Sequence, residues 1–182
     1  TALRWRWLAR NRPEIVRHAA VLLSLSDWIA FRLCGERASE PSQASETMLL
    51  ALAPRTWSPD ALACFEVPRK LLPALVEAGT RLGTLGADAA RALGLQAGIA
   101  VAMAGGDSQC GTLGAGAVEV GAVAAIGGTT MPFQMVVDRP QTDPERRIWS
   151  ACFLGPGRWV VESNAGSVGE VLDWFARLLA PE

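Results

Sequence analysis

An aspartate and a glycine-rich turn are the two features of this sequence whose residue types could do chemistry. Asp107 follows Gly105-Gly106 at the carboxyl end of the apolar run 97–106, just before a stretch of small residues, 108–116, that is typical of a closely packed helix. Open α/β sheets place ligands at such a point, and a carboxylate beside a helix N-terminus can orient a hydroxyl. The pattern fits equally well an aspartate that only caps the helix.

The second feature is Gly127-Gly128-Thr129-Thr130, which joins two apolar runs, 122–126 and 133–137. Its backbone N–H groups and hydroxyls could line a phosphate, although taken alone the stretch favours an ordinary Gly-Gly hairpin. A carboxylate for a substrate hydroxyl and N–H groups for a phosphate are the minimal parts for phosphoryl transfer, in which positioning and electrostatics do most of the catalysis.

Helices and a polar loop are predicted for the first part of the chain. A helix is expected to begin at Ser26-Asp27 and to end at Gly35, which has the residue type of a C-terminal cap. The polar residues 37–47 predict a loop or the wall of a ligand site rather than a core element. Within it Ser42, Ser45 and Thr47 could face a sugar, but a solvated loop is the favoured interpretation.

The elements that would position the two features follow in the second part. The run 97–106 predicts a strand buried on both faces. Runs 122–126, 133–137 and 159–162 predict three further strands, and 167–179 predicts an amphipathic closing helix. A domain junction is expected near 117–121.

Composition excludes several function classes. Seventeen Lys+Arg against eighteen Asp+Glu give a formal net charge of -1, so we expect no nucleic-acid partner. The apolar runs are far shorter than the roughly 20 residues that cross a bilayer, so we expect no membrane partner. A cytoplasmic location is also expected. One histidine and four scattered cysteines predict no metal site. The seven tryptophans are interpreted as core or domain-packing residues.

Several stretches together resemble the FGGY family of carbohydrate kinases. In family order they are the stretch 26–36, which begins Ser26-Asp27-Trp28, the polar stretch 38–47, Arg55-Thr56-Trp57-Ser58, Leu72-Pro73, Gly79-Thr80 with Gly83, Gly105-Gly106-Asp107 with Gly111, Gly127-Gly128-Thr129-Thr130 and Leu172-Asp173-Trp174. Each stretch is short, but their common order along nearly the whole chain makes chance a poor explanation.

The resemblance implies an α/β chain with the actin-like, ribonuclease H-like fold of a two-domain sugar kinase, present here in incomplete form. Residues 1–118 would be the C-terminal part of the first domain, and residues 119–182 the start of the second. Family members carry an Asp-x-Gly-Thr phosphate hairpin before this region and an adenosine site after it. We therefore expect the chain to be the middle of a longer enzyme and to be inactive alone.

The resemblance also implies roles for single residues. Asp107 maps onto the catalytic base that takes a proton from the sugar hydroxyl, and Ser108 onto a residue that touches the sugar. Gly128, Thr129 and Thr130 map onto the turn that holds the ATP phosphates. ATP with Mg²⁺ is the implied cofactor pair, no protein metal ligand is assigned, and a homodimer is compatible with the resemblance.

Two classes of function remain open from the sequence. The first is an ATP-dependent sugar kinase, with xylulose as the first substrate and the autoinducer sugar kinases of the same family as the rival. The second is a non-catalytic module of the same fold that binds a sugar or a nucleotide, because fold alone does not fix function.

Overall fold

Six α-helices, a 3-10 helix at Arg69–Leu71 and six short strands make up the first part of the chain. The computed structural model describes residues 1–128 and 130–179. The helices are α1 (Ala2–Asn11), α2 (Pro13–His18), α3 (Leu25–Cys34), α4 (Pro41–Ser45), α5 (Pro59–Phe65) and α6 (Ala87–Leu93). The strands are β1 (Ala38–Ser39), β2 (Leu50–Ala51), β3 (Thr56–Trp57), β4 (Ala74–Leu75), β5 (Arg81–Thr84) and β6 (Ala100–Ala102). They form three two-stranded ladders: β1 with β4 in parallel, and β2 with β3 and β5 with β6 antiparallel.

The predicted helix between Ser26 and Gly35 is confirmed as α3. Its N-terminus is a capping box, in which Ser24 Oγ accepts from the Asp27 backbone N–H at 3.2 Å and Asp27 Oδ2 accepts from the Ser24 N–H at 3.1 Å. These bonds satisfy two N–H groups that a helix start leaves open. Gly35 ends the helix with a φ of 81°, a conformation that glycine adopts without steric cost.

An apolar core holds the N-terminal helices together. Its buried members are Ala2, Trp5, Ala44, Leu49, Trp57, Leu62, Val67, Leu71 and Leu72. Two of its indoles also donate hydrogen bonds, Trp5 to the Glu66 carbonyl at 3.0 Å and Trp57 to the Pro73 carbonyl at 2.9 Å. The core role predicted for tryptophan is therefore confirmed for these two and for the buried Trp159, whereas Trp7, Trp28, Trp149 and Trp174 are exposed.

The prediction of a solvated loop over residues 37–47 is wrong. The segment forms β1 and α4, Ser42 and Thr47 are buried, and Ser45 is half-buried. Burial is possible because the polar groups bond to one another: Glu40 Oε2 accepts from the backbone N–H of Ser42 at 2.7 Å and of Gln43 at 3.2 Å, and also from the Ser42 hydroxyl. Glu40 thus caps α4 from a fully buried position.

A second correction concerns the apolar run 97–106. Only β6 is a strand there, and Ala100 and Ala102 are exposed while Val101 is half-buried. Among the described residues β6 pairs on one edge alone, with β5. The continuous apolar run therefore does not mark a strand buried on both faces within this chain.

The second part of the chain is a helix, an antiparallel sheet and a closing helix. Its elements are α7 (Asp107–Gly114), β7 (Val123–Ala125), β8 (Pro132–Val137), β9 (Trp149–Cys152), β10 (Trp159–Asn164) and α8 (Val168–Leu179). The sheet order is β7-β8-β10-β9, and its core is Val136, Ala151, Phe153 and Val160. The three predicted strands and both helices are confirmed, and β9 was missed.

The chain divides into two compact units, residues 1–105 and the residues from Gly106 onward. Helix α7 therefore belongs to the unit that contains the four-stranded sheet. The predicted domain junction near 117–121, with domains 1–118 and 119–182, stays a prediction. Helix α8 exposes its apolar side chains, including Val171, Leu172, Trp174 and Phe175. No helix in the described part of the chain is long and apolar enough to span a membrane.

Candidate active site

Asp107 is the first residue of α7 and its side chain is exposed. Its Oδ1 accepts a hydrogen bond from the backbone N–H of Ser108 at 2.7 Å, while Ser108 itself is half-buried. A carboxylate at a helix N-terminus lies at the positive end of the helix dipole. The Asp107 carboxylate is thus exposed, and the adjacent residue Ser108 carries a hydroxyl.

Close packing places α7 against the strand that leads into the glycine-rich turn. A β-carbon built on Gly111 would lie 3.1 Å from Ile126 Cγ1, closer than real β-carbons normally approach a neighbour. Ile126 follows β7 directly, and its N–H donates to the Pro132 carbonyl at 3.0 Å. The helix that begins at Asp107 is therefore in direct contact with Ile126, the residue before the glycine-rich turn.

Three buried polar side chains join α7 to the sheet. The Thr112 hydroxyl donates to Gln134 Oε1 at 2.7 Å, and Gln134 Nε2 donates to Glu162 Oε2 at 2.6 Å. The residues come from α7, β8 and β10 respectively. We call these three residues the buried relay.

The carboxyl of Glu162 has a perturbed proton affinity. Burial raises its pKa, and the negative charge of Asp107 raises it further, while the hydrogen bond from Gln134 acts in the opposite direction. The two carboxyls are therefore close enough to interact. The sequence analysis did not predict the relay. The available signal was a polar residue in or next to an apolar run: Gln134 lies within 133–137, and Glu162 follows 159–161.

Gly127, Gly128 and Thr130 of the glycine-rich turn are exposed, and some of their polar groups are hydrogen-bonded within the turn. The Gly128 N–H donates to the Thr130 carbonyl at 3.0 Å. The Thr130 hydroxyl accepts from Asn164 Nδ2 at 3.3 Å, and Asn164 Oδ1 accepts from the Gly166 N–H at 2.9 Å. The predicted phosphate ligand Thr129 lies outside the described residues. Asn164, at the end of β10, was not predicted as part of this turn.

The part of the chain that the structure describes contains no group of three or more His, Cys, Asp or Glu side chains that could hold a metal ion. Magnesium in nucleotide sites is commonly held by one or two carboxylates together with water and substrate phosphates.

Comparison with known proteins gives three kinds of match. The model of the N-terminal domain of the FGGY family of carbohydrate kinases matches residues 1–114. Among curated proteins, the chain is 42% identical over 171 residues to an autoinducer-2 kinase of Klebsiella pneumoniae, covering 93% of this chain and 32% of that protein. An autoinducer-2 kinase of Yersinia enterocolitica is 40% identical with the same coverage.

Solved structures match over nearly the whole chain. The xylulose kinase of Rhodospirillum rubrum is 28% identical with a TM-score of 0.85, covering 100% of this chain and 37% of that one. The glycerol kinase of Plasmodium falciparum, at 17% identity and a TM-score of 0.83, covers 97% of this chain and 37% of that one and shows the fold alone. The chain thus spans about a third of the length of the curated relatives it matches. The predicted actin-like, ribonuclease H-like sugar-kinase fold is confirmed.

Proposed function

Because this chain belongs to the FGGY family of carbohydrate kinases, we propose that the protein containing it transfers the terminal phosphoryl group of ATP to a sugar hydroxyl, with Asp107 as the general base. The observation that carries the proposal is the exposed carboxylate of Asp107 at the N-terminus of a helix that is packed and hydrogen-bonded onto the sheet. A general base must be both accessible to its substrate and held in place.

The proposed reaction is an in-line transfer. The sugar hydroxyl oxygen forms a bond to the terminal phosphorus, and the bond from that phosphorus to the bridging oxygen of ADP breaks. The hydroxyl proton passes to the Asp107 carboxylate. Ser108, adjacent to the base, is proposed to bind the sugar, because its hydroxyl can donate to or accept from a second sugar hydroxyl.

The glycine-rich turn is proposed to contact the ATP phosphates through Gly128, Thr129 and Thr130. The exposed Thr130 hydroxyl is available as a donor, since it accepts from Asn164. The Gly128 N–H is bonded to the Thr130 carbonyl, so a phosphate contact from Gly128 requires that bond to open. Magnesium bound to the nucleotide would reduce the charge of the phosphates, and the chain supplies the groups around them.

The sugar is proposed to be the one used by autoinducer-2 kinases, and xylulose is the second candidate. The support is similarity: identity reaches 42% to autoinducer-2 kinases over 93% of the chain, against 28% to xylulose kinases. A non-catalytic sugar- or nucleotide-binding module is the alternative of a different class.

The test is ADP release by the complete gene product with magnesium-ATP and a panel of ketoses, aldoses, polyols and autoinducer-2. Release with the autoinducer alone supports the proposed substrate, and release with xylulose alone replaces it by the second candidate. Sugar binding without ADP release for any member of the panel contradicts the kinase and supports the binding module.

A further inference from the structure

The buried relay forms one continuous hydrogen-bonded connection from α7 across two strands. Gln134 is fully buried, and both ends of its amide are used: the oxygen accepts from Thr112 and the nitrogen donates to Glu162. The amide therefore has one orientation that satisfies both partners. Thr112 is also fully buried and Glu162 nearly so, so water does not compete for these bonds.

The relay is directional because each member fixes the next. A carboxylate accepts hydrogen bonds and does not donate them, so Glu162 directs the Gln134 nitrogen toward itself. The Gln134 oxygen is then turned toward α7, where it accepts from Thr112. A buried hydrogen-bonded network whose members are all satisfied rigidifies the elements that it joins.

The end of the relay lies close to Asp107 along the helix. Thr112 is five residues after Asp107, which is less than one and a half turns of an α-helix. A rotation or axial shift of α7 therefore moves Asp107 with Thr112. Misplacement of a reacting group by about 1 Å can lower a rate by about 100-fold.

We propose that Glu162, Gln134 and Thr112 are positioning residues that fix the rotation and axial height of α7 and so hold the Asp107 carboxylate in its reactive place. This inference rests on the proposed role of Asp107. The negative charge of Asp107 is one of the causes that raise the pKa of Glu162, which agrees with this inference.

The sharpest variant is Thr112→Val, which removes the donor hydroxyl and keeps the shape of the side chain. Thr112→Ser is the conservative variant, since it keeps the hydroxyl. Ser58→Ala is the control for lost stability: Ser58 Oγ accepts from the Ala61 N–H at the start of α5, in the other compact unit, and loss of such a cap destabilises the protein.

We expect Thr112→Val to lower kcat of the complete gene product about tenfold or more with KM for sugar and ATP changed less than about twofold, because an interaction that only positions the base is lost. Thr112→Ser should restore most of kcat, and Ser58→Ala should leave it near the wild-type value. An unchanged kcat in Thr112→Val, or equal losses in the Val and Ser variants, would overturn the proposal.

Hydrogen exchange separates this proposal from that of the kinase itself. The amides of residues 107–114 should exchange faster in Thr112→Val than in Thr112→Ser, whether or not the protein phosphorylates any sugar. If the wild type is inactive with every sugar while this difference is present, the kinase proposal fails and the anchoring of α7 stands. If exchange is the same in both variants, the anchoring is overturned.

A second pair of variants covers the case in which Thr112→Val does not fold. Glu162→Gln retains an oxygen that accepts from Gln134, whereas Glu162→Ala leaves the Gln134 nitrogen without this acceptor. We expect Glu162→Gln to keep more of kcat than Glu162→Ala at equal KM. Equal values of kcat in these two variants would contradict the proposal.

Discussion

The α-carbon of Gly111 lies so close to Ile126 that a β-carbon at position 111 would be 3.1 Å from Ile126 Cγ1 and 3.5 Å from Cγ2. Glycine is a poor helix former, so its place inside α7 has a cost in helix propensity. The close approach explains why a glycine occupies this position. Without a side chain at position 111, the helix that begins at Asp107 can pack directly on Ile126, the residue before the glycine-rich turn.

The two glycines of α7 give a matched pair of alanine variants. A β-carbon on Gly114 would meet no atom within 4 Å, so Gly114→Ala should stabilise the protein by about 0.5–1 kcal/mol through helix propensity. In Gly111→Ala, overpacking against Ile126 should outweigh the gain in helix propensity, so that the free energy of unfolding falls by about 1 kcal/mol or more. Chemical denaturation measures both. Equal free energies of unfolding for the two variants would contradict the close packing.

Thr130 offers a test of the glycine-rich turn that leaves Asp107 untouched. We expect Thr130→Val to raise KM for ATP about three- to tenfold, the range that corresponds to one lost hydrogen bond, and to leave KM for the sugar unchanged. Thr130→Ser keeps the hydroxyl and should behave as the wild type does. Steady-state kinetics with each substrate varied in turn provide the measurement, and a shift in the sugar KM instead would remove Thr130 from the phosphate site.

The main elements of the second unit could be predicted from local sequence. Runs rich in β-branched and aromatic residues marked β8 and β10, and the polar and apolar faces of 167–179 marked α8. Gln134 and Glu162 could not be recognised as partners, because they are 28 positions apart and meet only when two strands pair. The role of a polar residue in a strand depends on its partner across the sheet.

In the segment 37–47, the sequence gives a wrong prediction of exposure. Its serines, threonine and glutamates have the composition of an exposed loop, yet Glu40, Ser42 and Thr47 are buried. A polar segment can be buried when its groups satisfy one another, and composition does not reveal which groups will do so. The cap that Glu40 provides has glutamate in place of the usual Ser, Thr, Asp or Asn.

Glu40 gives a prediction for the pH dependence of stability. Burial raises its pKa above the ordinary value of 4.5, against the opposing effects of its bonds to Ser42 and Gln43 and of the charge of Arg55. The folded protein then holds this proton more tightly than the unfolded chain does. The stabilising contribution of Glu40 is therefore full below its ordinary pKa and is lost as pH rises through the raised pKa.

Glu40→Gln removes this titration and keeps an oxygen that can cap α4. The Tm of the wild type minus that of Glu40→Gln should therefore fall as pH rises from about 4 to about 7. Glu119→Gln, an exposed site in the other compact unit, is the control and should show no such trend. A difference in Tm that does not change with pH, or that grows as pH rises, would show that burial does not raise the pKa of Glu40.

The role of Asp107 as general base is tested by comparing the kcat of Asp107→Asn with that of Asp88→Asn, both in the complete gene product. Asp88 matches Asp107 as an exposed aspartate in the first turn of a helix, but it lies in the other compact unit. With the sugar identified from the panel, we expect Asp107→Asn to lower kcat by about 10²–10⁴-fold, the usual contribution of a general base. Its Tm and ATP affinity should stay near wild type, and Asp88→Asn should keep full activity. If Asp107→Asn retains more than about a tenth of the wild-type kcat, Asp107 is not the general base of this protein.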